Sequence, residues 1–211
     1  MKTTLILLIG FFILTLLSCE NDSKAENAIV EDVKMKDQQN ETLKIIFARK
    51  SVRHFTDQDV SKEQLEMIVK AGMAAPTAVN MQPWSFVVVK ERELLNQLAE
   101  ELPYAKMLFQ APAAIIVCAI PEWSIEEHPK EYSIIDCSAA TQNILLAVES
   151  MGLGAVWTAA YPRDDRMKSV RRILHIPEKI IPLNVIPIGH PTGEDKPKDK
   201  WKPDRVHWDK W

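Results

Sequence analysis

The run Ala113–Ala119, reading AAIIVCA, contains no polar side chain except the thiol of Cys118. Successive residues of a strand face opposite sides of its sheet, so a strand with no polar face needs an apolar layer on both sides. A chain of 211 residues, 46% of them hydrophobic, can bury such a core within one domain. The layers must come from the segments around the run. Glu131–Met151 is long and apolar on most sides, broken only by Gln142 and Asn143, as expected of a helix buried in the middle of a fold.

The other segments alternate in period. Leu43, Ile46 and Phe47 give Thr42–Arg49 one apolar face, and Ser61 with Gln64 forms a capping box for a helix carried by Leu65, Ile68, Val69, Gly72 and Met73 until Pro76. Trp84–Lys90, WSFVVVK, reads as a strand, and Leu94, Leu95 and Leu98 return Glu91–Glu101 to helical spacing. Ala155–Thr158 reads as a third strand, Asp164–Leu174 as an amphipathic helix and Leu183–Ile188 as a fourth strand. Pro187 has no ladder donor and predicts an irregular end or an edge position for that last strand. The expected fold class is an α+β, or α/β, sandwich around a small sheet.

The N-terminus has a different character. Lys2, the apolar run Leu5–Leu17 and the sequence LLSC at Leu16–Cys19 read as an export signal, and the run is shorter than the ~20 apolar residues that cross a bilayer. LLSC resembles a bacterial lipobox, which implies cleavage before Cys19 and lipidation of that cysteine. The division expected is a signal over 1–18, a polar tether over 19–40 that cannot bury enough surface to order itself, and a folded domain over 41–211. Lipidation would place the protein in the cell envelope, outside the cytoplasm, with the membrane touched only through the anchor.

Lys and Arg total 26 against 29 Asp and Glu, a balance that gives no whole-chain signal for nucleic acid or another polyanion. Any anion site is local. Besides Cys19 there are only Cys118 and Cys137, too few for a disulfide framework, and no CxxC or Cys/His cluster points to a metal. No Ser-His-Asp or Cys-His constellation and no GxGxxG or phosphate-loop pattern occurs.

Four polar clusters remain. RKSVRHF, Arg49–Phe55, sets cations and a hydroxyl at a helix C-terminus, which suits a phosphate as well as it complements the helix dipole. APTAVNMQPWSF, Ala75–Phe86, offers Thr77, Asn80 and Gln82, able to read the edge of a heteroaromatic ring or to bond their own turn. GLGAVWTAAYP, Gly152–Pro162, lets backbone approach a ligand closely. KPKDKWKP puts Lys198 and Lys200 within reach of one anion, in a tail over 190–211 whose Trp201, Trp208 and Trp211 call for a large apolar surface.

Together and in this order, these clusters, with IPIGHP, resemble the FMN-dependent nitroreductase family from about Thr42 to Trp211. The resemblance implies a small mixed sheet wrapped by helices and an intertwined homodimer with two flavin sites at its interface, the C-terminal segment of each subunit joining the other. It implies that Arg49 and Ser51 hold the FMN phosphate with Lys198 and Lys200, with Arg53 nearby and Lys50 also in the cofactor-binding set. Pro76, Thr77, Ala78 and Asn80 are expected to reach the flavin from the partner subunit, braced by Gln82. Trp157, Thr158, Ala159 and Ala160 fall in the flavin set, the two alanines through backbone near N5. Lys106 is placed against the ring, and Gln142 beneath the site with a packing or a contact role. The cofactor chemistry implied is hydride transfer from NADH or NADPH to the flavin, then two-electron transfer to a nitroaromatic or quinone acceptor in the same place, with no side-chain base. Reductive dehalogenation, flavin breakdown and a non-enzymatic flavin-binding envelope protein stay open as alternatives on the same fold.

Overall fold

The structure, a computed structural model, describes residues 40–211. The signal, the tether and Cys19 lie outside the described residues. The chain divides into two units, Met1–Ile46, of which only the first turns of helix α1 (Asn40–Ala48) are described, and Phe47–Trp211, which holds everything that follows.

Five strands form one sheet: β1 (Trp84–Val89), β2 (Ala113–Ala119), β3 (Gly154–Ala155), β4 (Thr158–Ala159) and β5 (Ile181–Gly189). The order is β1-β2-β5-β3, with β4 also on β5, and every pairing among the described residues is antiparallel. The mixed character implied by the family resemblance therefore does not arise from pairings within this chain. As its composition requires, β2 is buried along its whole length. Burying a side chain such as Ile115, Ile116 or Val117 contributes ~1.5–3 kcal/mol.

Helix α4 (Pro129–Ser150) lies on the sheet and also packs against α2 (Lys62–Met73). Helices α3 (Arg92–Glu101) and α5 (Asp164–Leu174) pack on each other, with α5 against β5. The capping box of α2 is present: Gln64 N–H donates to Ser61 Oγ at 3.2 Å and Ser61 N–H to Gln64 Oε1 at 2.9 Å. On α4 the buried positions run Ser133, Asp136, Cys137, Ala140, Thr141, Ile144, Leu145 and Val148, a single helical face. The far face is half apolar and open in this chain, with Ile135 63% exposed. Cys118 and Cys137 are free and buried, and burial pushes the Cys118 thiol up to about 12 and raises that of Cys137.

Two sequence expectations for the sheet need correction. The expected third strand, Ala155–Thr158, is two short strands that pair with β5 on either side of Val156 and Trp157. The strand carrying Pro187 is no edge: β5 lies between β2 and the β3/β4 pair. The register explains how a proline fits there. Ala155 pairs with Ile188 and Thr158 with Val185, so Pro187 stands opposite the unpaired interval at Val156, where no donor is required of it. The second proline, Pro182, accompanies a shift in the β2–β5 register between Val117 and Cys118.

Candidate functional site

The segment that leaves α1 is pinned to the sheet's β3 side. Val52 N–H donates to Ala155 O at 2.9 Å, and Gly154 makes room for this contact: a Cβ there would lie 2.6 Å from Val52 Cγ1. Further on, Thr56 N–H donates to His190 O and Thr192 N–H to His54 O, lacing the segment to the start of the C-terminal tail. The two basic clusters, far apart in sequence, thereby become walls of one cleft of about 560 Å³ lined by Arg49, Lys50, Ser51, Arg53, Lys198 and Lys200, with Glu194, Asp195, Lys196 and Pro197.

Within this cleft the charges divide by their partners. Lys50 Nζ donates to Glu149 Oε1 of α4 at 2.8 Å, both side chains being largely buried, so this ammonium is already neutralised. Asp195 accepts from Arg53 N–H at 2.9 Å and His54 N–H at 3.3 Å, and its Oδ2 lies 3.2 Å from His54 Nδ1. Burial works to raise the Asp195 carboxyl, but these hydrogen bonds outweigh it and hold it below its ordinary value. Arg49, Lys198 and Lys200 make no ion pair among the described residues and, with the Ser51 hydroxyl, are free to bind an anion.

Arg53 also lines a second cleft of about 530 Å³, with Pro103, Tyr104, Lys106, Met107, Val156, Trp157, Thr158, Ala159 and Arg166. Its wall is the β4 strand. Ala160 N–H donates to Leu183 O at 3.0 Å, so Ala160 points toward β5 and its neighbour Ala159 points away, toward the cleft. The Ala159 carbonyl indeed receives Arg166 Nη1 at 3.2 Å from the cleft side. Of the two alanines, then, Ala159 presents its backbone to the cleft and Ala160, 1% exposed, is held in the ladder. Thr158 Oγ1 donates to Val185 O at 2.6 Å, which makes its hydroxyl a strand fastener. Lys106 lines the cleft, but its Nζ donates to the carbonyls of Ala99 and Glu100 at 2.8 and 3.1 Å, closing the C-terminus of α3.

The stretch Pro76–Gln82 lines neither cleft. It is a tight turn around a short 3₁₀ segment, Ala78–Asn80, with Val79, Asn80 and Gln82 at φ of 41°, 61° and 52°. Gln82 N–H donates to Thr77 Oγ1 at 3.2 Å, and Gln82 Nε2 to Asn80 Oδ1 at 2.9 Å. Its anchor is Asp136 on α4, which accepts Ala78 N–H. Gln142 is exposed on α4, whereas Asn143 Nδ2 donates to Ala71 O at 3.1 Å and ties α4 to α2. In the tail, Trp201, Trp208 and Trp211 are 68%, 85% and 101% exposed. No group of His, Cys, Asp and Glu able to hold a metal occurs among the described residues.

Three residues at the clefts escaped the sequence reading. Asp195 lies in the polar tail, where no motif marks it. Tyr104 and Arg166 sit in a connection and in the first turn of a helix, where neither periodicity nor a motif marks them.

Comparison with known proteins agrees with this architecture. The model of the Nitroreductase family matches residues 46–105 and 96–190. A protein of Archaeoglobus fulgidus, provisionally named NADH dehydrogenase/NAD(P)H nitroreductase, is 45% identical over 174 residues, covering 81% of this chain and 99% of its own. A crystal structure of a like-named protein from Bacteroides thetaiotaomicron is 50% identical with a TM-score of 0.76, over 81% of this chain and 98% of that one. A provisionally named nitroreductase from Desulfovibrio desulfuricans, solved in complex with FMN, is 26% identical with a TM-score of 0.69, over 81% and 98% of the two chains. With the fold, the two clefts and these matches in agreement, the chain belongs to the nitroreductase family.

Proposed function

We propose that the protein is an FMN-dependent oxidoreductase that takes electrons from NADH or NADPH and gives them to a nitroaromatic or quinone-type acceptor, working as a homodimer. The observation that carries this reading is the pair of clefts sharing Arg53: one lined by Arg49, Lys198 and Lys200, which make no ion pair among the described residues, the other a slot walled by backbone and by Trp157. A phosphate with a flat ring attached fits that pairing of chemistries.

Arg49, Ser51, Lys198 and Lys200 hold the FMN phosphate, the guanidinium offering two parallel donors to its oxygens. The ion pair with Glu149 makes Lys50 a strut for this segment more than a phosphate ligand. Ala159 offers its backbone toward the flavin from the open side of β4. When bound, FMN supplies the acceptance of a hydride from the nicotinamide and the delivery of two electrons to the acceptor. The protein's part is to bind the ring, leave one face open and keep the slot shaped.

What this chain leaves open supports the dimer. Pro76–Gln82 presents Asn80 and Gln82 to solvent and away from this chain's own clefts, which supports its reading the flavin of the partner subunit. Three exposed tryptophans in the tail and the open Ile135 face of α4 supply apolar surface for the contact. Cys19, in the lipobox-like LLSC, anchors the enzyme to a membrane of the cell envelope.

The test is direct. The full chain purified after expression should be yellow, should lose that colour on addition of NADH or NADPH, and should regain it with a nitroaromatic or quinone. Added FMN should raise the melting temperature of any apoprotein. A protein that takes up no FMN under these conditions would sink the reading.

A further inference from the structure

We propose that Arg166, held against Tyr104 at the second cleft, selects electron acceptors that carry an anionic group, the preferred class being a planar aromatic acid. This rests on the reading of that cleft as the slot of the flavin ring, over whose open face the acceptor is reduced.

The cleft is cationic without counter-charge. Arg53, Lys106 and Arg166 line it and no Asp or Glu does, in a chain whose formal net charge is -3. The three cations differ in availability. Lys106 is engaged by the carbonyls that end α3, and Arg53 is shared with the phosphate cleft, its Nη1 3.5 Å from Ser51 O. Arg166 lines the second cleft and not the first. The nearest acidic residues in sequence, Asp164 and Asp165, line neither cleft, and Asp165 is engaged by Arg163 at 3.1 and 3.2 Å.

Arg166 is positioned before any ligand arrives. Its Nη1 is fixed on Ala159 O, and its guanidinium lies over the Tyr104 ring, 5.0 Å from the centroid. Its Nε is buried and has no acceptor among the described residues. That leaves Nη2, which makes no hydrogen bond among the described residues, to donate a charge-assisted bond to a carboxylate whose ring lies over the flavin's open face in the slot. Because the same guanidinium grips Ala159 O, an acid bound there lies next to the backbone that faces the flavin.

The FMN-loaded full chain tests this with a matched pair of ligands, 4-nitrobenzoate and the neutral 4-nitrobenzamide, their dissociation constants read by titration calorimetry. The acid should bind about ten-fold tighter or better. Arg166→Gln should remove that preference by weakening the acid about ten-fold while leaving the amide within about two-fold, and Arg166→Lys should keep part of it. If Arg166→Gln fails to fold, Arg166→Lys alone decides, since it must still lower affinity for the acid selectively. Equal binding of both ligands by the wild type, or equal weakening of both in the variant, overturns the proposal. So does a variant that loses affinity for NADH or NADPH alone, which would make the donor's phosphates the partner of Arg166. Reduction of 4-nitrobenzamide by NADH checks the oxidoreductase reading separately: if that persists while selectivity is absent, only the role of Arg166 falls, whereas failure to take up FMN removes both.

Discussion

Asp136 and Ala78 are 58 positions apart in the chain, and the Asp136 carboxylate accepts the Ala78 N–H with 3.2 Å to Oδ1 and 3.3 Å to Oδ2. The carboxylate is 5% exposed, so α4 keeps a buried acceptor beneath a turn that holds three non-glycine residues at positive φ. Asp136→Ala leaves that N–H unsatisfied, at a cost of ~1–3 kcal/mol, and releases the turn, so FMN affinity should fall with stability. The pH dependence is separable. Burial raises the Asp136 carboxyl above 3.8, and the Ala78 N–H only partly opposes it. A raised folded value means that this group's contribution is fully present below 3.8 and is lost as the pH climbs through the folded value. Asp195, held low, behaves in the opposite sense: its contribution is present above 3.8 and is lost as the pH falls through its lowered value. Urea midpoints followed across the acid range should show Asp136→Asn with a shallower loss of stability on the rising side. An unchanged slope in that variant would remove Asp136 from the explanation.

Gly154 and Val52 are in close contact, and Val52 stands between Ser51 and Arg53, which line the basic cleft. A Cβ on Gly154 meets the Cγ1 and Cβ atoms of Val52 at 2.6 and 2.8 Å, and a valine is too stiff to swing aside. Gly154→Ala should cost ~1–3 kcal/mol by overpacking and should displace the segment carrying Arg49 and Ser51, weakening FMN binding. Val52→Gly in the same chain removes every atom the new methyl meets, Cβ included, so the double variant should recover binding that the Gly154→Ala variant lost. Additive losses in the pair would show that the contact is unimportant to the cleft.

What was legible in the sequence is what local rules determine. The continuous apolar run of β2, the capping box of Ser61 and Gln64 and the single face of α5 each follow from composition or spacing over a few residues. The proline in β5 misled because its tolerance depends on Val156 and Trp157, which leave a gap in the opposite strand. The two basic motifs meet in one cleft, yet Lys50 faces Glu149, a pairing across 99 positions that no local pattern carries. Tyr104 and Arg166 were invisible for the same reason: their meaning arises where a connection and a helix start converge on one slot.

Thr141 and Asn184 form a polar pair inside the apolar core. Asn184 Nδ2 donates to Thr141 Oγ1 at 2.9 Å, and the threonine hydroxyl donates in turn to Cys137 O at 2.8 Å. Both residues are fully buried, and Asn184 Oδ1 has no partner among the described residues. Thr141→Val keeps the shape and strands the amide donor, which should lower stability by ~1–3 kcal/mol. Adding Asn184→Leu removes the stranded group and should return most of that loss, since replacing both members of a buried pair is close to neutral. Denaturant midpoints of the single and double variants test this, and a double variant less stable than Thr141→Val would show that the amide has work beyond this pair.

Asn80 combines a backbone and a side-chain role, and the two can be separated. At φ 61° it occupies the left-handed region, which asparagine tolerates and alanine pays for by ~1–2 kcal/mol. Its side chain accepts from Gln82 Nε2 at an exposed site, so little further stability is lost when it goes. Asn80→Ala should therefore destabilise modestly, while FMN affinity falls about ten-fold or more if the amide reads the ring edge. Asn80→Gly relieves the backbone strain and removes the same amide. If the side chain is the reader, glycine restores thermal stability and leaves FMN binding as weak as in the alanine variant. Wild-type FMN affinity in either variant would reduce Pro76–Gln82 to an ordinary turn held by Asp136.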